Sequence, residues 1–212
     1  MNEFITIKEN VEVQIVEKKS KFIANLIYVE NQEKAEEYIN QFKKKYFDAR
    51  HNCVAYRVSD GKQIVEKASD DGEPSGTAGS PMLNILQKNN LANVLVIVTR
   101  YFGGILLGTG GLVRAYSDSL LKAIGNSEFI QMCSGVELEV FLEYSEFEIF
   151  KHYCKNNDIC IINVEYLEFI VCKIELELSK KVKFLHDFES KNILLKDIKE
   201  LSIKYVSKSI LK

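Results

Sequence analysis

Ser69-Asp70-Asp71-Gly72-Glu73-Pro74-Ser75-Gly76-Thr77-Ala78-Gly79, then Val94-Leu95-Val96-Ile97-Val98-Thr99-Arg100-Tyr101-Phe102-Gly103-Gly104, then Gly108-Thr109-Gly110-Gly111-Leu112-Val113-Arg114-Ala115-Tyr116 are the stretches whose reading decides the fold. Eight of the eleven glycines and both prolines lie between residues 69 and 116, whereas 1–60 and 136–212 contain neither. Glycine is used where the backbone needs a positive φ or a close approach. The window therefore predicts two special loops, separated by a short helix and a strand.

The second loop has the clearer physical reading. Val94–Val98 is a continuous β-branched and aliphatic run, which predicts a strand buried on both faces. Beyond Gly111, residues Leu112, Val113, Tyr116, Leu120, Ala123 and Ile124 recur at helical spacing. Strand, glycine loop and helix start in that order gather free N–H groups and a positive dipole end, which suits an anion. The standard phosphate loops are not matched. Thr109 stands where a P-loop needs Lys, and Val113 takes the third glycine position of a dinucleotide fingerprint. A tight turn that packs helix against strand fits equally well. The first loop carries Asp70, Asp71 and Glu73 with Ser75 and Thr77. Its spacing is not that of an EF-hand, and local turn chemistry is the favoured account of its acids. No metal and no cofactor are expected.

Asp70–Gly79, Pro81-Met82-Leu83, Val98–Gly104, Leu107-Gly108 and Gly110–Tyr116, with Arg50-His51, Cys53 and Ala55-Tyr56 upstream, resemble the signature of the YigZ/IMPACT family in its bacterial two-domain form. The resemblance covers about residues 18–125. It implies an α+β chain. The N-terminal domain would share the fold of a small-subunit ribosomal protein's second domain and of elongation factor G's fourth. The C-terminal domain would be ferredoxin-like, similar to that factor's last. Eukaryotic relatives regulate translation by competing for the activator of an initiation-factor kinase, and the bacterial form brings no agreed activity.

A chain of 212 residues suits one large or two small domains, and 46% hydrophobic content is ample for a core. The net charge of −2 gives no global attraction to nucleic acid or anionic membrane. Five cysteines without CxxC pairs and a polar N-terminus point to a cytoplasmic protein with free thiols. No apolar run approaches the ~18 residues of a membrane span. The chain has 24 Lys but 4 Arg, all between residues 50 and 114. In so lysine-rich a chain, a retained guanidinium suggests a demand for its planar fork. Pairing with loop acids and binding an external anion both meet that demand.

In order, strands are predicted over 11–17, 20–29, 51–58, 63–66 and 94–98, and helices over 31–46, 80–89 and 110–126. Asp60-Gly61 is a hairpin signal. From 136 on, strand, helix, strand, strand, helix, strand gives the ferredoxin-like order. The junction is expected near 133–136, with domains 1–134 and 135–212.

No catalytic set is complete. Cys53 is two strand positions from His51, too far for a nucleophile–base bond. Ser75 does not sit in a nucleophile elbow, and no zinc spacing is present. The leading expectation is a non-enzymatic, translation-associated binding protein. Its partner would be the ribosome, an RNA or a translation-related protein. Arg100, Arg114, Tyr101, Ser75, Thr77, Gly103, Gly104, Gly108, Gly110 and Gly111 would face the anion, and Asp70, Asp71, Glu73, His51 and Arg50 would support them. The alternative is a hydrolase or phosphotransferase using the same cleft, and a purely protein-binding module is a third reading.

Overall fold

A computed structural model describes residues 3–59 and 63–208. The Asp60-Gly61 hairpin signal lies outside the described residues. The chain divides into two compact units, Phe4–Ile130, and Gln131 onward with Glu3.

The first unit contains β1 (Phe4–Ile7), β2 (Val11–Glu17), β3 (Ser20–Tyr28), α1 (Gln32–Lys45), β4 (His51–Ser59), β5 (Ile64–Ser69), α2 (Gly79–Lys88), β6 (Val94–Tyr101) and α3 (Gly108–Gly125). Its sheet runs β2-β3-β6-β4-β5, with every pair antiparallel. The apolar run is the central strand and is buried on both faces. Val94, Val96 and Val98 meet Met82, Leu86, Tyr116 and Leu120 from α2 and α3. Leu95 and Ile97 meet Ala35 and Ile39 from α1. Each such fully buried side chain contributes ~1.5–3 kcal/mol, so β6 anchors both layers. The Asn31 side chain caps α1 by accepting from Lys34 N at 2.8 Å.

Several bounds differ from the sequence reading, and one strand is additional. β6 continues through Thr99-Arg100-Tyr101, because pairing with β3 and β4 holds these polar residues in the ladder. α3 starts at Gly108, inside the glycine run. β1 has only four residues, too few for a periodicity to register.

In the second unit, β7 (Phe129–Leu142) is followed by a 3-10 turn (Tyr144–Glu146), α4 (Phe147–Asn156), β8 (Cys160–Tyr166), β9 (Ile170–Glu177), α5 (Leu178–Glu189) and β10 (Asp197–Ser207). The sheet order β10-β7-β9-β8, all antiparallel, is the ferredoxin-like βαββαβ arrangement. Val136, Leu138, Val140, Cys172, Ile174 and Leu176 pack with Phe150 and Phe184 of the helices. Glu137, Glu175 and Lys204 are ion-paired together. Residues 133–136, expected as a junction, lie within β7. Gly135 serves close packing there, since a Cβ would fall 2.3 Å from the Val206 side chain.

Candidate functional site

The acid loop between β5 and α2 is folded by its own carboxylates. Asp70 Oδ1 accepts from the N–H groups of Ala78 (2.9 Å) and Gly79 (2.8 Å), and its Oδ2 accepts from Gly76 (2.8 Å). Burial raises the Asp70 pKa, but the N–H groups of Gly76, Gly79 and Ala78 outweigh it and hold the carboxyl below its ordinary value. Asp71 Oδ2 accepts from Asn52 N at 2.7 Å, and its Oδ1 pairs with Lys43 at 3.1 Å. Thr77 is buried and donates to the Pro74 carbonyl at 2.6 Å, while Ser75 is exposed.

Glu73 carries this loop into the core. Strand pairing sets His51 opposite Arg100 and Cys53 opposite Val98. Glu73 Oε1 accepts from Arg100 Nη1 at 2.6 Å and from Tyr116 Oη at 2.9 Å. The Glu73 and Arg100 side chains are 3% and 7% exposed, so this ion pair is shielded from solvent screening. The Arg100 guanidinium also contacts the Phe22 and Phe102 rings at 5.5 and 5.7 Å. His51 Nδ1 lies 2.8 Å from the Asp71 carbonyl, which can only accept, so Nδ1 carries a proton. That leaves Nε2 turned to Glu73 at 3.9 Å. The Cys53 thiol lies 2.9 Å from the Asp70 carbonyl and 3.3 Å from the Tyr116 hydroxyl. Burial pushes this thiol up to about 12 and also raises Tyr116. A fully buried thiol held protonated is a poor nucleophile. The cluster therefore acts as a brace that ties the loop, β4, β6 and α3 together.

The glycine loop is built differently. Gly103 N–H donates to Ser20 Oγ at 3.1 Å, and a Cβ on Gly103 would fall 2.0 Å from the Lys19 backbone. This close approach seats the loop on the Lys18-Lys19 turn, where both lysines have positive φ. Gly104 and Gly108, at φ +85 and +73, turn the chain on either side of Ile105-Leu106-Leu107. Leu107 packs on the core, and Leu106 is 82% exposed. α3 then begins without a side-chain cap. Arg114, nearly two helical turns further on, is exposed, and among the described residues it makes no side-chain hydrogen bond or ion pair. With Lys18, Gly111, Glu17 and Asp118 it lines a cleft of about 130 Å³.

The expected site residues thus fall into two groups. Asp70, Asp71, Glu73, His51, Arg100 and Thr77 are held by internal partners. Gly104, Gly108, Gly110 and Arg114 lie at the surface, with Gly103 and Gly111 half-buried beneath them. Tyr101 donates to Asp48 at 2.9 Å under Lys21, and Arg50 lies over the Phe102 ring. Tyr116 and Cys53 belong to the brace but are not among the expected site residues, since helical spacing accounts for Tyr116 as core and Cys53 is too far along the strand from His51 for a nucleophile–base pair. Among the described residues, no three His, Cys, Asp or Glu side chains are grouped to hold a metal, and no helix is long and apolar enough to cross a membrane.

The Impact N-terminal domain model matches residues 18–124, which span both loops. The IMPACT family member YvyE of Bacillus subtilis is 33% identical over 210 residues, 99% of this chain and 96% of its own length. YigZ of Escherichia coli is 35% identical over 196 residues, 89% of this chain and 95% of its own. A crystal structure of a hypothetical protein superposes with a TM-score of 0.62 at 34% identity, covering 92% of this chain and 97% of that one. With a domain model over half its length and relatives matched nearly end to end, the chain belongs to the IMPACT family.

Proposed function

We propose that this protein is a translation-associated binding protein that acts by recognition rather than catalysis. Its contact surface is the glycine loop and the start of α3, at the end of the β2-β3-β6-β4-β5 sheet. The observation that carries the reading is Arg114. It is exposed and makes no internal ion pair among the described residues, and it shares a cleft with Leu107 and Gly111 of the uncapped helix start. By contrast, Arg57 donates to Glu66 at 2.7 Å and Arg100 to Glu73 at 2.6 Å. A planar guanidinium next to free N–H groups suits phosphate oxygens or carboxylates. Lys18 and Lys19 on the adjoining turn add charge without a fixed fork. The translational role is what the family resemblance implies, and an anion-bearing component of the translation machinery is the partner proposed here.

Co-sedimentation with purified ribosomes and with protein-free ribosomal RNA, across a salt series, tests this reading. Binding is expected to fall steeply with salt where phosphates are contacted. Arg114→Lys should weaken it although the charge is kept. Wild-type protein that sediments with neither probe at low salt would refute the proposal.

A further inference from the structure

This surface carries exposed aliphatic side chains. Ile105 and Leu106 are 42% and 82% exposed, and Phe102 beside them is 40% exposed. They are displayed by a built loop. Gly104 and Gly108 turn the chain before and after them, Leu107 roots the segment in the core, and Gly103 N–H is held by Ser20. Cations border the display. Lys18 and Arg114 share the cleft that Leu107 lines, and the Arg50 guanidinium lies 5.6 Å from the centre of the Phe102 ring. Glu17 and Asp118 also border that cleft.

Gly110 adds an independent observation. It lies in the first turn of α3 without a positive φ, and a Cβ there would meet nothing within 4 Å. Nothing in its own unit asks for glycine at this position, and a helical glycine is less stable than alanine. A bare backbone at an exposed position next to the aliphatic tip fits a surface that another molecule approaches closely.

We infer that Ile105 and Leu106 form a knob that enters an apolar pocket of an acidic protein, with the partner's backbone or small side chains lying over Gly110. This rests on the reading of this end of the sheet as the partner-binding surface. An apolar centre within a charged rim is the anatomy of a protein–protein interface. The rim cations favour a partner whose pocket is edged by carboxylates. Ile105 and Leu106 lack the ring faces on which nucleic-acid bases stack, and the Phe102 ring beside them is already in contact with the Arg50 and Arg100 guanidinium groups. Two aliphatic residues on a loop also offer far less apolar area than a membrane-bound amphipathic helix.

The test uses the full chain carrying Leu106→p-benzoylphenylalanine. It is irradiated with purified ribosomes, protein-free ribosomal RNA and phosphatidylglycerol vesicles as separate probes. The cross-link is expected in an acidic protein of the ribosomal particle. Leu106→Asp should weaken co-sedimentation by about tenfold or more, as for a central anchor. Gly110→Ala should weaken it while leaving the thermal midpoint unchanged or raised, an outcome that a purely structural glycine would not give. Cross-links confined to RNA or lipid would overturn the knob. So would wild-type binding by Leu106→Asp when Arg114→Lys has lost it, which leaves the surface itself standing. Wild-type protein that binds none of the three probes would overturn the surface reading and the knob together.

Discussion

The two loops that crowd residues 69–116 use similar residue types for opposite ends. In the acid loop, Asp70, Asp71, Glu73 and Thr77 spend their hydrogen bonds on the protein itself. In the glycine loop and the helix start, Leu106, Gly110 and Arg114 face outward. Glu73 and Arg114 are both charged groups of the 69–116 window, yet one is buried and paired while the other is exposed and, among the described residues, unpaired. Chemical character alone does not mark a binding residue. A polar group already satisfied inside the fold has little left to offer a partner.

The difference can be broken at several points. Glu73→Ala should have the largest effect, because it leaves Arg100 charged, buried and unpaired, at a cost of about 3–5 kcal/mol. Urea denaturation reads this directly, and a loss below about 1 kcal/mol would mean that the brace is not a unit. Asp70→Ala removes the acceptor of three loop N–H groups and should cost about 2 kcal/mol, with protease sensitivity rising at residues 70–79. The same carboxyl gives a pH signature. Its folded pKa lies below its ordinary 3.8. Its contribution is therefore complete above that value and is lost as pH falls through the lower folded value. The stability gap between wild type and Asp70→Asn should accordingly hold at neutral pH and close below pH 3.8. Arg114→Lys should be the mildest for the fold, within about 0.5 kcal/mol of wild type.

Much of this was legible in the sequence. The Val94–Val98 run marked the central strand, and the pattern after residue 136 gave the ferredoxin-like order. What was missed has physical causes. Polar Thr99-Arg100-Tyr101 extend β6 because their neighbours pair with them, which hydropathy does not record. The junction expected near 133–136 falls within a strand, where Gly135 packs against Val206, 71 positions away. The brace joins Glu73 to Arg100 and Tyr116 across 27 and 43 residues. Local spacing carries no trace of such contacts. The acids, arginines and glycines were found as a set, and only the fold divides those turned inward from those turned outward.

The most direct measurement pairs folding with binding in two variants. The thermal midpoint and the co-sedimentation of folded protein with ribosomes would be read together for Glu73→Gln and Arg114→Lys. Glu73→Gln should lower the midpoint while the folded protein binds as wild type. Arg114→Lys should keep the midpoint and lose binding with a shallower salt dependence. Contradiction would come from Arg114→Lys binding as wild type at every salt concentration, or from a normally stable Glu73→Gln that no longer binds.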